Sequence, residues 1–174
     1  MAETRTEVEK LYSIVESIET AMLVTRRADG HLRARAMATQ KRAGGADLWF
    51  VTMEGSTKLV EIENDPHVNL SYHRDKNEEW VSISGTAIIS RDRNKIRELY
   101  MPDWKIWFDD QGDPLHGTAD DPRMVLIGVT IHAAEFLEVN KPRPVLLFEM
   151  VKGFVTGEEP EFGEMHRVSP PQRS

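Results

Sequence analysis

Cysteine is absent from the chain, which excludes disulfides, thiolate metal sites and a nucleophilic or redox thiol. Any redox chemistry would have to use a borrowed cofactor. No apolar run approaches the roughly 18 residues that a membrane span needs, and the N-terminal MAETRTEVEK lacks the apolar stretch of a secretory signal. A cytoplasmic protein without a membrane partner is the expectation. A basic excess is missing too. With 29 acidic against 22 basic residues the net charge is −7, so no broad cationic surface exists for nucleic-acid phosphates, and nucleic acid is not an expected partner.

What is present suits one globular domain. Hydrophobic residues make up 40% and charged residues 29% of 174 positions, an ordinary balance for a chain that buries a core. One domain spanning 1–174 is expected, with a C-terminal helix and frayed tail from about residue 143.

Val8, Leu11, Tyr12, Val15 and Ile18 recur at helical spacing, and Thr6 with Glu9 makes a capping-box pattern, so a first helix should start there. AMLVTR and HLRARAMATQ flank Asp29-Gly30, a pair that adopts the positive φ of tight hairpins. In the second arm Leu32, Ala34, Ala36 and Ala38 should face one way, Arg33, Arg35, Met37 and Thr39 the other. DLWFVT reads as a third strand, and STKLVEIEND as a short helix ended by Pro66. HVNLSYH and WVSISGTAIIS read as two more strands. A helix capped by Asp92, a helical piece around PDWKIWF and a loop over 109–122 follow. RMVLIGVTIHAAEFLEV is a long last strand, bent near Gly128, before an amphipathic helix. About six short strands with few helices predict a mainly β (α+β) fold, a closed or split antiparallel barrel.

The chemistry concentrates in WFVTMEGSTK, residues 49–58. A strand breaks at Glu54-Gly55, and a helix opening at Ser56 would aim unpaired backbone N–H groups, the Ser56 and Thr57 hydroxyls and the Lys58 ammonium at one small volume suited to an anion. Arg35 on a neighbouring strand could add a bidentate phosphate contact. The same spacing also fits a plain helix cap at Ser56, a solvated Lys58 and a surface Arg35.

RAMATQ (35–40), WFVTMEGSTK, LVEIENDPHVNLSYH and WVSISGTA, in that order, resemble the pyridoxamine 5′-phosphate oxidase-like split-barrel flavoproteins. The general stress protein 26 branch is the nearest in look, and GFVTGEEPEFGE resembles its tail. The resemblance implies a homodimer of split barrels with FMN in a cleft between subunits, with FAD or the deazaflavin F420 as alternative cofactors and a haem-type ligand a further one. It implies a phosphate-binding role for Arg35, Ser56 and Lys58. Ala36 and Met37 would lie along the flavin edge, and Val51 and Thr52 would meet it from a strand end. Trp80 would stack on the flavin or line the dimer seam, and Trp104 and Trp107 would lie near the cofactor cleft.

Two departures lower the positive charge: Gln40 stands where the oxidase pattern has lysine, and Thr57 where a basic residue is common. The C-terminal arginine and tryptophan that oxidases use to hold pyridoxal substrates are missing, which disfavours vitamin B6 oxidation. The expectation is a flavin-dependent oxidoreductase of unassigned substrate, or a flavin-buffering stress protein without turnover. No residue stands out as a catalytic acid or base. His67 and His73 share a strand face without a third ligand, and the Asp109, Asp110 and Asp113 group lacks the order of a calcium loop, so no metal is expected.

Overall fold

The computed structural model describes residues 2–110, 112–139, 141–161 and 163–169. Helix α1 (Ala2–Ile18) leads into β1 (Thr20–Arg26), β2 (Leu32–Ala38) and β3 (Leu48–Met53). After α2 (Thr57–Asn64) come β4 (His67–Arg74), β5 (Glu79–Ser90), α3 (Arg93–Leu99) and a 3-10 segment, η1 (Pro102–Trp107). The chain closes with β6 (Met124–Glu138), α4 (Arg143–Thr156) and β7 (Glu164–Val168). Helix α1 begins four residues before Thr6, so the capping-box pattern lies inside it and does not start it.

The strands form one antiparallel sheet in the order β2-β1-β4-β5-β6-β3, with β7 added to β6. β6 is long enough to carry β5 along one edge and to divide the other between β3 and β7. The ends of the path, β2 and β3, approach each other. The Gln40 N–H donates to Trp49 O across that gap at 2.8 Å. No ladder joins them, so the barrel is split and open, as the hydrophobic alternation predicted in outline. β7 is an addition to the expected strands: its five residues, EMHRV, carry too little apolar alternation to register as a strand. Of the tail expected to fray, residues 170–174 lie outside the described residues.

Two clusters make the core. Inside the barrel, Leu11, Ile14 and Val15 of α1 pack on Leu23, Phe50, Leu70, Ile83 and Phe136 from the strands. This burial is why the amphipathic face of α1 is stable as a helix. On the other face of β3 and β6, Trp49, Met124 and Leu126 meet Ile96 and Leu99 of α3 and Trp104 and Phe108 around η1. Asp92 accepts from the Asn94 N–H at 2.9 Å and caps α3 as its sequence position suggests.

The bend expected at Gly128 falls elsewhere. Ser84 pairs with Ala133 and Gly85 with Ile131, leaving His132 as the extra residue of a bulge. Gly85 permits this approach, because a Cβ there would come 2.3 Å from the Thr130 carbonyl oxygen. Gly128 serves packing: a Cβ would meet the Trp49 ring and the Ala46 methyl at 2.9 Å. The indole therefore lies against bare backbone while its N–H donates to Ala43 O at 3.1 Å. Gly128→Ala is expected to destabilise the protein by about 1–3 kcal/mol through overpacking, read as a lower urea midpoint with an unchanged slope.

Candidate cofactor site

Strand β3 is buried through Phe50 and then opens, with Val51 and Met53 half-buried. Gly55, at φ +77°, turns the chain through a conformation that side-chain-bearing residues avoid. Ser56 takes the extended backbone of a helix cap, yet its hydroxyl makes no capping bond. That hydroxyl lies 3.3 Å from Thr52 Oγ1, to which Lys58 Nζ donates at 2.8 Å. Thr52, Ser56 and Lys58 thus form a polar knot where the strand ends and α2 begins. Burial holds the Lys58 ammonium below its usual pKa; the Arg35 charge pushes the same way and Glu61 opposes it. Among the described residues no carboxylate stands within ion-pair distance of Lys58, so this half-buried cation has no direct ion-pair partner and feels Glu61 only at longer range.

Lys58 and Thr52 face a cavity of about 380 Å³ between the end of β2, the end of β3 and η1. Ala36, Met37 and Val51 line it together with Met53, Trp107 and Phe108. Trp104 forms a fixed wall: it is 2% exposed, meets Tyr100 edge-on at 5.7 Å, and donates its indole N–H to Gln40 Oε1 at 2.8 Å. The Gln40 amide in turn donates to Ala38 O at 2.9 Å. A glutamine at this position supplies no charge, but it clamps η1 to the sheet. Trp107, by contrast, is 67% exposed at the mouth.

The expected anion corner divides in two. Arg35 does not line the cavity: one guanidinium nitrogen is 2.6 Å from Glu61 Oε2 and the other 2.5 Å from Thr25 Oγ1, although its charge still acts on Lys58. Arg33 stands 3.2 Å from the second Glu61 oxygen and reaches the Thr57 hydroxyl at 3.4 Å. Glu61 is buried and also accepts from Thr25 at 2.6 Å. Neither Arg35 nor Ser56 lines the cavity, although Ser56 touches the Thr52–Lys58 pair. Trp80 lies elsewhere, half-buried on β5 opposite His73 and Leu137. His67 and His73 are both exposed and pair separately, with Asp65 at 2.8 Å and with Asp75 at 3.1 Å.

The sequence marks Gln40 only as a missing lysine, not as a clamp on the cavity wall, and does not mark Met53 as a lining residue. No spacing rule links Gln40 to Trp104, 64 residues away; an amide just past a strand end is the one hint the sequence offers.

The family model described as pyridoxamine 5′-phosphate oxidase like matches residues 6–161, most of the chain. The chain belongs to the pyridoxamine 5′-phosphate oxidase-like family. Protein bli-3 of Neurospora crassa is similar to this chain, 33% identical over 165 residues, covering 93% of this chain and 79% of that protein. Among solved structures, a candidate general stress protein 26 from Jannaschia sp. CCS1 superposes with TM-score 0.70 at 24% identity, over 95% of this chain and 99% of that one. A pyridoxamine 5′-phosphate oxidase-related, FMN-binding protein from Nostoc punctiforme gives TM-score 0.58 at 13% identity, over 98% and 95%. These likenesses confirm the split-barrel fold of the pyridoxamine 5′-phosphate oxidase-like chain. No helix among its described residues is long and apolar enough to cross a membrane.

Proposed function

We propose that the cavity between β2, β3 and η1 binds FMN, and that the protein is a flavin-dependent oxidoreductase of a small molecule. One observation carries the reading: a desolvated ammonium without a direct ion pair, Lys58, stands at the edge of a cavity walled by methionine and aromatic side chains. The donor set fits the ligand. Lys58, the uncapped Ser56 hydroxyl and the first N–H groups of α2 suit a phosphate, while Met37, Val51 and Trp104 offer apolar surface for a planar ring. The FMN-binding Nostoc relative supports the same assignment.

When bound, FMN supplies the hydride and electron chemistry. The chain's own residues bind and orient. Lys58 offsets phosphate charge and gains the direct ion-pair partner it lacks. The Gln40–Trp104 clamp holds the wall of the cavity rigid, and Trp107 shields its mouth from water. Lys58 and Asp103 are the titratable side chains among the described lining residues, so a proton supplied by the chain itself would come from one of these two.

The reading includes a homodimer. The outward face of β2, with Leu32, Ala34, Ala36 and Ala38, is apolar and exposed, and α4 exposes Leu147, Phe148, Val151 and Phe154. Trp80, remote from the cavity of its own chain, would reach a flavin only across such a dimer.

Purified protein is expected to be yellow, or to quench FMN fluorescence stoichiometrically on titration, and mass spectrometry of the released ligand separates FMN from FAD and F420. Colourless protein that does not respond to added FMN would overturn the assignment. Anaerobic NADH or NADPH should then bleach the flavin; persistent colour would identify a flavin buffer without turnover.

A further inference from the structure

The far end of the barrel from the cavity holds a second cluster of polar chemistry, where β7 joins β6 beneath α1. Glu164 and His166 share one face of β7, two residues apart. Glu138 on β6 is the cross-strand partner of Glu164. Like charges placed directly opposite destabilise a strand pair, yet the ladder keeps this register to its end.

His166 fills the space between them. Its Nε2 lies 3.4 Å from Glu138 Oε2 and 3.7 Å from Glu164 Oε2. On the other side of the ring, Nδ1 lies 2.6 Å from Glu7 Oε2 of α1. The imidazole stacks on Phe136 with ring centres 4.9 Å apart, which fixes its plane. The remaining charged neighbour is Lys10, whose Nζ is 3.1 Å from Glu138 Oε2 and 3.6 Å from Glu7 Oε1. Three carboxylates therefore meet one ammonium.

Among the described residues, His166 Nε2 is shielded from water and makes no hydrogen bond. Glu7 Oε2 and Glu138 Oε2 are shielded as well, but they already face His166 Nδ1 and Lys10 Nζ. A buried polar atom left without a hydrogen-bond partner is rare in native proteins, and an ion is one of the few things that satisfies it. Ligand atoms on a tetrahedral zinc at roughly 2.0–2.1 Å lie about 3.4 Å from one another, close to the 3.4 and 3.7 Å between Nε2 and the two carboxylates. A metal-bound histidine also tends to have a carboxylate at its other nitrogen, which sets the tautomer; Glu7 occupies that place.

We propose that Glu138, Glu164 and His166 bind a divalent first-row metal ion, zinc being the best match, with Glu7 orienting the His166 ring. Such an ion neutralises the excess of carboxylate and joins the last strand to β6 under the first helix. It acts as a structural staple, independent of the flavin cavity. Two carboxylates and one imidazole leave a fourth tetrahedral position for water.

The test uses the full-length protein after treatment with chelator, titrated with zinc chloride and followed by calorimetry and thermal melting. One equivalent is expected to bind and to raise the melting temperature by several degrees. Cobalt(II) should give the visible absorption of a tetrahedral site. Glu164→Gln and His166→Ala should each abolish the cobalt spectrum and the thermal shift, and Glu7→Gln should weaken binding about tenfold. The Glu164 side chain is 71% exposed, so its substitution leaves the fold intact even if His166→Ala does not fold. No uptake by the wild type, or uptake and cobalt absorption unchanged in Glu164→Gln, would overturn the site.

Discussion

Lys58→Ala is expected to weaken FMN binding by about 1.5–3 kcal/mol, the value of a charge-assisted hydrogen bond, or roughly 10- to 150-fold in Kd. The effect is large because this ammonium is already half out of water and has no carboxylate within ion-pair distance. Its interaction with an incoming phosphate is set against a neutral hydroxyl, Thr52 Oγ1, rather than against an existing ion pair. Lys58→Arg should recover only part of the loss, since a planar fork does not fit a site built around a compact ammonium. Flavin fluorescence titration measures the affinity, and a melting curve for each variant separates it from instability. Unchanged affinity in Lys58→Ala would place the phosphate elsewhere.

The geometry also revises what to expect of Arg35. Were it free to meet a phosphate, Arg35→Ala combined with Lys58→Ala would add to the loss of affinity. Its guanidinium is committed to Glu61 and Thr25, so the second substitution should act mainly on stability.

Glu61→Ala is expected to cost about 3–5 kcal/mol of folding stability, because removing one partner of a buried ionic group strands the others. Arg35 would lose its bond to a carboxylate, Arg33 its 3.2 Å contact, and Thr25 its acceptor. The sequence position of Glu61 explains the severity. It lies on the inner face of α2 and ties that helix to β1 and β2, so its loss also loosens the helix that presents Lys58.

The same group predicts an acid response. Burial pushes the Glu61 carboxyl up, but hydrogen bonds from Thr25 and Arg35 and the charges of Arg35 and Arg33 outweigh it and hold the pKa below the ordinary 4.5. A carboxyl with a depressed folded pKa contributes its stability above the unfolded value and loses it as pH falls through the folded one. Urea midpoints should therefore decline in this acid range for the wild type and decline less for Glu61→Gln, which keeps the shape and loses the titration.

Much of the fold was legible because burial imposes a period. The 3.6-residue recurrence of Leu11, Val15 and Ile18 marks α1, and alternation marks the strands from Thr20 to Glu138; Asp29-Gly30 and Pro66 punctuate them. The polar knot at the end of β3 was legible for a similar reason: a glycine turn leading into a helix start fixes where Ser56 and Lys58 can go. Short-range geometry therefore determined the barrel strands, the hairpin and the position of one cation. Long-range pairing decided everything else. Whether Arg35 serves a ligand or a buried carboxylate depends on Glu61, 26 residues away. Gln40 meets Trp104 and Glu7 meets His166 only because strands and helices distant in the chain converge. A sequence records which charges exist and which face of an element they share, whereas the partner each charge takes is settled by the packing that removes water from around it.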